Sequence, residues 1–169
     1  MKKVILITGG SSGIGKAIGE FLLNKDYIVY GTSRNAAAIS NSKINLIDLD
    51  VRNSESVQAC IAKIIELEGR IDVLINNAGV GITGPLEEIP LEEIKNNFET
   101  NVFGPIETMK AVLPQMRLQK RGLIINITSI AGYMGLPFRS VYSSSKGALE
   151  LITESLRMET KSFGIHITN

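Results

Sequence analysis

Short apolar runs rich in β-branched residues alternate with helical patterns along the whole chain. The runs are almost continuously apolar, as expected for strands of a parallel sheet that is covered on both faces. They occupy residues 4–7, 27–32, 44–49, 73–75, 123–127 and 165–168. The alternation predicts βαβ units, and therefore an α/β protein with a Rossmann-like, doubly wound sheet of six parallel strands.

Apolar residues between the strands recur with the 3.6-residue period of helices. The patterns predict helices over residues 14–23, from residue 54 onward, over 91–119 and over 142–161. The first helix has a stripe of apolar residues, which consists of Ile14, Ala17, Ile18, Phe21 and Leu22. Ser54 is the predicted N-cap of the second helix. Gly104-Pro105 and Pro114 predict that the third helical region is kinked or divided.

Composition and charge narrow the class of protein. The 169 residues suffice for one domain with a sizeable core, and we interpret residues 1–169 as a single domain. A net charge of +1 without a basic block argues against nucleic acid and anionic membrane surfaces as partners. One cysteine excludes an internal disulfide, and one histidine leaves almost no material for a metal site or a histidine-based triad.

No apolar stretch approaches the roughly 20 residues of a membrane-spanning helix. Lys2 and Lys3 precede a short apolar run at the N-terminus, which superficially resembles a secretory leader. The run is too short for a leader and breaks into a glycine-rich segment without a cleavage pattern. We therefore interpret it as the buried first strand of a cytoplasmic protein.

A glycine-rich turn connects the first predicted strand to the first helix, with the sequence Thr8-Gly9-Gly10-Ser11-Ser12-Gly13-Ile14-Gly15. Glycine permits a tight turn and lets a ligand approach the backbone, and the positive end of the following helix attracts anions. These properties suit the pyrophosphate of a dinucleotide. The spacing differs from the usual Gly-x-Gly-x-x-Gly pattern, so a plain strand–turn–helix connection is the alternative.

The end of the second strand is where selectivity between the two nicotinamide dinucleotides is expected. An acidic residue there would bind the ribose diol of NAD, whereas this chain has Ser33 and Arg34. A guanidinium pairs well with a phosphate, and a hydroxyl adds a hydrogen-bond donor. The pair favours NADP over NAD. The alternative is that Arg34 is a solvated loop residue.

The next two strand ends carry further candidate contacts for a nucleotide. Asp50 and Val51 follow the third strand, where they could contact the amino group and the face of an adenine; Asp48 is the alternative polar contact. Asn76-Asn77-Ala78-Gly79 closes the fourth strand with small and amide groups. Because ligands of open parallel sheets bind at the carboxyl ends of the strands, these residues are expected to line one crevice.

Proton-transfer chemistry is indicated by Tyr142 and Lys146, with Ser129 upstream. Residues four apart lie on the same face of a helix, so an ammonium group would favour the phenolate form of the tyrosine. A serine hydroxyl nearby could hold a substrate oxygen. The three residues suit proton transfer to a carbonyl or from an alcohol. Taken alone, a tyrosine and a lysine at this spacing are equally consistent with a solvated helix face.

The glycine turn, Asn-Asn-Ala-Gly, Ser129 and Tyr142-x-x-x-Lys146 occur in the order typical of one family. From Val4 to its last residue, the chain resembles the short-chain dehydrogenase/reductase family. The resemblance implies that Tyr142 is the general acid/base, that Lys146 assists it and binds the nicotinamide ribose, and that both residues contact the cofactor. It also implies that Ser129 orients the substrate carbonyl, and that Asn101 kinks its helix and holds a water in a proton relay.

The same resemblance assigns the cofactor contacts. The implied phosphate turn comprises Gly9, Ser11, Ser12, Gly13, Ile14 and Gly15, and the implied adenine and ribose contacts are Asp50, Val51, Asn77, Ala78 and Gly79. Members of the family continue beyond the strand that follows Gly164 with a substrate loop and a last strand, which this sequence lacks. We therefore expect the chain to be C-terminally incomplete and to lack most of a substrate pocket.

The expected function is an NADP(H)-dependent oxidoreductase that transfers a hydride between a nicotinamide and a small apolar carbonyl or secondary alcohol substrate. Met134, Leu136 and Phe138 could form an apolar wall beside Tyr142 or be ordinary packing residues. The alternatives are a non-catalytic, NADP-sensing protein and an inactive truncated fragment. The resemblance also implies a homodimer or homotetramer through the helices at 91–119 and 142–161.

Overall fold

The computed structural model describes all residues from Met1 to Asn169. Six parallel strands form one sheet in the order β3-β2-β1-β4-β5-β6. They are β1 (Val4–Ile7), β2 (Ile28–Ser33), β3 (Asn45–Asp48), β4 (Val73–Asn76), β5 (Gly122–Asn126) and β6 (Ile165–Thr168). The predicted Rossmann-like sheet is confirmed, and the strand order reverses direction between β1 and β4.

Five helices connect the strands, and their bounds differ from the predicted ones by one or two residues. They are α1 (Gly13–Leu23), α2 (Ser54–Glu68), α3 (Leu91–Phe98), α4 (Gly104–Gln119) and α5 (Ser140–Thr160). Four short 3₁₀ turns lie at Ala36–Ala38, Leu86–Glu88, Ile130–Gly132 and Lys161–Phe163. The N-cap of α2 is Asn53 rather than Ser54, because the Asn53 side chain accepts a hydrogen bond of 2.9 Å from the Ser56 N–H.

The helical region predicted over residues 91–119 is divided by a π-helical turn at Glu99–Phe103. The helix resumes at Gly104, where Pro105 occupies the first turn and needs no hydrogen bond for its nitrogen. Pro114 was the other predicted break, but it lies inside α4 and the helix continues past it. The division places the buried side chain of Asn101 inside the π-helical turn.

The main core lies between one face of the sheet and the helices α2, α4 and α5. Its fully buried members come from both layers and include Leu6, Ile64, Leu74, Val112, Met116 and Ile124. Burial of side chains of this size contributes about 1.5–3 kcal/mol each, so this face fixes the positions of α2 and α4 on the sheet. No helix of the protein is long and apolar enough to cross a membrane.

The helix α1 lies on the opposite face of the sheet, where Ile18, Leu22 and Leu23 pack against a second, smaller core. The helix approaches the sheet through its glycines, and a β-carbon on Gly19 would lie 2.9 Å from the Ile44 side chain. The apolar stripe of α1 therefore faces the sheet only in part, and Ile14 and Phe21 are 65% and 61% exposed. Phe21 borders an open apolar groove of about 610 Å³ over β4 and β5.

Candidate active site

A crevice of about 680 Å³ lies at the carboxyl ends of the strands, where the strand order reverses. Its wall includes most of the predicted cofactor contacts, namely Gly9, Ser11, Ser12, Ile14, Ser33, Arg34, Asp50, Val51, Asn77, Ala78 and Gly79. Four predicted contacts do not form part of this wall, namely Gly13, Gly15, Tyr142 and Lys146. The glycine turn and the ends of β2, β3 and β4 thus meet in one place.

The glycine turn is shaped by close packing as well as by backbone conformation. Gly9 and Gly13 have φ values of +66° and +51°, which glycine adopts more readily than other residues. Gly15 is buried against Asn77, so that a β-carbon there would lie 2.4 Å from Asn77 Nδ2. Ser12 precedes α1 without a side-chain capping bond, which leaves the first N–H groups of the helix without an internal partner.

Hydrogen bonds tie this turn to the end of β4. The Thr8 hydroxyl oxygen accepts bonds of 3.0 Å from the N–H groups of Asn77 and Ala78. In return, Asn77 Nδ2 donates to the carbonyl oxygens of Thr8 and Gly9 at 3.0 and 3.2 Å. The Gly9 N–H donates to Thr32 Oγ1 at 3.2 Å. No sequence pattern indicated these hydrogen bonds of Thr8 and Thr32, although Thr8 directly follows β1 and Thr32 lies near the end of β2.

The charged wall of the crevice distinguishes the two candidate aspartates. Asp48 accepts a bond of 2.6 Å from the Ala36 N–H and so serves the loop after β2. Asp50, by contrast, lines the crevice and pairs with Arg52, whose Nε and terminal nitrogen donate at 3.1 and 2.9 Å. These hydrogen bonds lower the pKa of Asp50, and the nearby positive charge of Arg34 contributes to the shift. Arg34 forms no salt bridge or hydrogen bond, and the sequence did not point to Arg52.

Lys146 is buried behind the crevice wall, next to Gly79, with only 5% of its surface exposed. Its Nζ donates a hydrogen bond of 2.8 Å to the Ile127 carbonyl, and no carboxylate pairs with it. Burial lowers the pKa of Lys146. A β-carbon on Gly79 would lie 3.5 Å from Lys146 Nζ and 3.3 Å from Asn101 Oδ1. Lys146 and Asn101 therefore flank Gly79, which is on the crevice wall.

Asn101 is linked to the segment that carries Tyr142. Its Nδ2 donates at 3.1 Å to the hydroxyl of Ser145, which in turn donates at 2.8 Å to the Tyr142 carbonyl. Tyr142 is half-buried in the first turn of α5, with the Arg139 guanidinium 5.9 Å from its ring centroid. Ser129 is also half-buried, and its hydroxyl oxygen accepts from the Ala131 N–H. No hydrogen bond joins the side chains of Ser129, Tyr142 and Lys146 to one another.

The segment after Ser129 carries the apolar residues that the sequence left open. Met134, Leu136 and Phe138 are 56%, 39% and 62% exposed, so they are not packed in the core. The segment itself is held close to α5, because a β-carbon on Gly132 would lie 3.0 Å from the Lys146 backbone. An exposed apolar surface therefore lies beside the helix that carries Tyr142.

An open parallel sheet with a crevice at its switch point is the architecture of dinucleotide-binding α/β proteins. Residues 3–169 match the family model described as short chain dehydrogenase. The chain belongs to the short-chain dehydrogenase family, which consists of NAD(P)-dependent oxidoreductases. Within the 169 residues, no group of three or more His, Cys, Asp or Glu side chains is arranged to hold a metal ion.

Individual relatives agree with this assignment. A 3-ketodihydrosphingosine reductase of Bacteroides thetaiotaomicron is 47% identical over 165 residues, which cover 98% of this chain and 61% of the relative. A short-chain dehydrogenase from Streptomyces avermitilis has a TM-score of 0.94 at 38% identity, over 98% of this chain and 63% of that one. The structure of ElxO with NADP bound has a TM-score of 0.91 at 37% identity, over 99% of this chain and 71% of the ElxO chain. The chain thus spans about three fifths of the length of the curated relative.

Proposed function

We propose that this chain forms the cofactor-binding and proton-transfer part of an NADP(H)-dependent oxidoreductase that interconverts a ketone and a secondary alcohol. The observation that carries the proposal is the continuity of the crevice. It extends from the N-terminus of α1 past Gly79, which Asn101 and Lys146 flank. A nucleotide bound along this path would bring its nicotinamide to the side chains that can move a proton.

The residues present fit such a cofactor. Neighbouring atoms leave no room for a side chain at Gly10 and Gly15, and the first N–H groups of α1 are free to bind the pyrophosphate. Asp50 and Val51 line the crevice and would hold the adenine, and Asn77, Ala78 and Gly79 on the same wall would border the ribose. When bound, the cofactor supplies or accepts the hydride, whereas the protein supplies position and charge.

Preference for NADP rests on the charges around the end of β2. Arg34 has no partner within the chain, so its guanidinium is available for a 2′-phosphate. The nearest carboxylate on the crevice wall, Asp50, is already neutralised by Arg52. Ser33 adds a hydroxyl donor on the same wall. The bound NADP in the ElxO structure, at 37% identity, supports the same choice.

The proton chemistry is assigned to Tyr142, Lys146, Ser129 and Asn101. An ammonium group has three donors, and Ile127 uses one of those of Lys146. The remaining two can bind a ribose hydroxyl and stabilise the phenolate of Tyr142. During reduction the Tyr142 hydroxyl gives its proton to the substrate oxygen, and during oxidation the phenolate removes it. Ser129 would hold that oxygen, and Asn101 would hold the water that returns the proton.

An apolar substrate is supported by the exposed segment that follows Ser129. This segment lies against the helix that carries the proposed proton donor, and its exposed side chains include Ile130, Tyr133, Met134, Leu136 and Phe138. Covering them with an apolar chain would contribute about 25 cal/mol per Å² of buried surface. The name of the Bacteroides relative describes reduction of a ketone, and we extend ketone reduction to this protein.

Self-association through α4 and α5 is part of the proposal. Leu118, Leu151 and Met158 are 80%, 68% and 75% exposed on these helices. A second copy of the chain would cover such residues, and exposed apolar residues on both helices favour a homodimer or homotetramer. Light scattering coupled to size-exclusion chromatography measures the mass in solution, and a monomer at all concentrations would contradict this part of the proposal.

Cofactor preference is tested by titrating the protein with NADPH and NADH and following the fluorescence of the cofactor. The chain has no tryptophan, so indole emission does not interfere. We expect tighter binding of NADPH and a loss of about ten- to hundredfold in Arg34→Leu, as for a charge-assisted bond, with little change for NADH. Arg117→Leu removes a guanidinium that stacks on Phe163, away from the crevice, and is the matched control. Equal binding of both cofactors by the wild-type protein would refute the preference.

A further inference from the structure

A buried amide next to the crevice has no role in the proposed chemistry. Asn97 lies near the end of α3, is only 2% exposed, and borders the crevice. An amide side chain has two donors and one acceptor oxygen, and burying it without partners is costly. Its hydrogen bonds therefore show what the position requires.

Asn97 and Asn101 together hold the backbone of Val80. The Val80 N–H donates to Asn101 Oδ1 at 2.9 Å, and the Val80 carbonyl accepts from Asn101 Nδ2 at 2.9 Å. Asn97 Nδ2 donates to the same carbonyl at 3.1 Å. Val80 follows Gly79 directly, so two side-chain amides fix the part of the crevice wall that adjoins Lys146.

The arrangement around Asn101 shows why a second amide is useful. Asn101 Nδ2 lies within hydrogen-bond distance of three acceptors, namely the Val80 carbonyl, Ser145 Oγ at 3.1 Å and Asn97 Oδ1 at 3.3 Å. An NH₂ group has only two hydrogens. Because Asn97 also donates to the Val80 carbonyl, that carbonyl keeps a donor while Asn101 remains bonded to Ser145, and through Ser145 to Tyr142.

We infer that Asn97 is a positioning residue, which acts through Val80 and Asn101 to hold the Gly79 wall at the correct distance from Lys146. The inference rests on the proposed function and adds a residue to it. The space is tight, since a β-carbon on Gly79 would already lie 3.3 Å from Asn101 Oδ1. Without Asn97, the Val80 carbonyl loses one of its two side-chain donors and Asn101 loses its contact with α3, so the wall loosens.

The test compares NADP⁺ binding by the wild type, Asn97→Asp and Asn97→Leu, using calorimetry from neutral pH to about pH 5, a range in which NADP⁺ is stable. At neutral pH we expect both variants to bind about three- to tenfold more weakly, as for loss of one net hydrogen bond. A buried carboxyl keeps its proton to a higher pH than an exposed one, and a protonated carboxyl can donate to the Val80 carbonyl. Asn97→Asp should therefore recover affinity as the pH falls, whereas Asn97→Leu should not.

Two controls separate positioning from general destabilisation. Thr160→Val removes a buried hydroxyl that bonds the Leu156 carbonyl at the far end of α5, and it should leave NADP⁺ binding unchanged. Wild-type binding at each pH corrects for the titratable residues of α3, the π-helical turn and α5, which include Glu93, Glu99 and Lys146. If both variants fail to fold, Asn97→Ser keeps a donor in a smaller side chain and should show an intermediate loss.

Wild-type affinity in both Asn97 variants would overturn the inference while leaving the proposed function intact. A loss in Asn97→Asp that did not reverse at low pH would also overturn it, because the donor to Val80 would then be irrelevant. Failure of the wild-type protein to bind NADP⁺ or NAD⁺ would instead refute the proposed function. The two failures are therefore distinguishable in one set of titrations.

Discussion

Gly15 offers a sharp test of the glycine turn, because the space beside it is already filled. A β-carbon on this residue would lie 2.4 Å from Asn77 Nδ2 and 2.5 Å from the Gly9 carbonyl oxygen. Neither neighbour can retreat freely, since one is backbone and the other is bonded to the carbonyls of Thr8 and Gly9. Gly15→Ala must therefore push the first turn of α1 away from the end of β4.

The change in the free energy of unfolding caused by Gly15→Ala is the sum of effects of opposite sign. Replacing a helical glycine by alanine normally stabilises a protein by about 0.5–1 kcal/mol. Forcing a methyl group into a filled site costs about 1–3 kcal/mol. Weakening the two bonds donated by Asn77 adds about 0.5–1.5 kcal/mol for each bond that is lost. The unfavourable effects outweigh the gain, and we expect a net loss of about 1–4 kcal/mol in the free energy of unfolding.

Urea unfolding followed by circular dichroism measures this loss, and NADPH titration measures its consequence for the crevice. Gly135→Ala is the matched control, because a β-carbon there meets nothing within 4 Å and its φ is not positive. The control should change stability by less than about 0.5 kcal/mol. If Gly15→Ala unfolded at the wild-type urea concentration and bound NADPH normally, the described packing of the turn would be wrong.

Two further predictions concern buried titratable groups. Burial and, to a smaller extent, the hydrogen bond to Glu68 raise the pKa of Tyr30 to about 12. One of the four tyrosines should therefore ionise at a higher pH than a free tyrosine in a spectrophotometric titration. Its contribution to stability is present below about pH 10 and is lost as the pH rises through 12, and Tyr30→Phe should remove that dependence at a cost of about 1 kcal/mol. Burial lowers the pKa of Lys146, which penalises the folded state at neutral pH and relieves the penalty as the pH rises. Lys146→Met should therefore melt at a higher temperature than the wild type at pH 7 while losing turnover, and a lower melting temperature would contradict this reasoning.

The elements were predictable because their signals are local. Continuous apolar runs gave the strands, and the glycine turn marked the junction of β1 and α1. The family resemblance supplied the candidate site as a set of ordered motifs. Most predicted cofactor contacts lie on one crevice because parallel strands all end at the same edge of the sheet.

Other features depend on contacts between distant parts of the chain, which no spacing encodes. The apolar stripe of α1 predicted the helix but did not indicate the close approaches that Gly15 and Gly19 make to neighbouring residues. The division of the helical region at Glu99–Phe103 accompanies the bonds of Asn101 to Val80 and Ser145. Thr8 and Thr32, which bond the turn, were likewise inconspicuous as isolated polar residues in or beside strands.

The measurement that bears most directly on the account is NADPH oxidation with an apolar ketone, compared between the wild type and Tyr142→Phe. The account predicts that losing the hydroxyl lowers turnover by about 10²–10⁴-fold, the usual contribution of general acid catalysis, with NADPH affinity nearly unchanged. A variant that retained near-native turnover would show that Tyr142 is not the proton donor. A proportional loss of NADPH affinity would show that the tyrosine serves the binding of the cofactor instead of the chemistry.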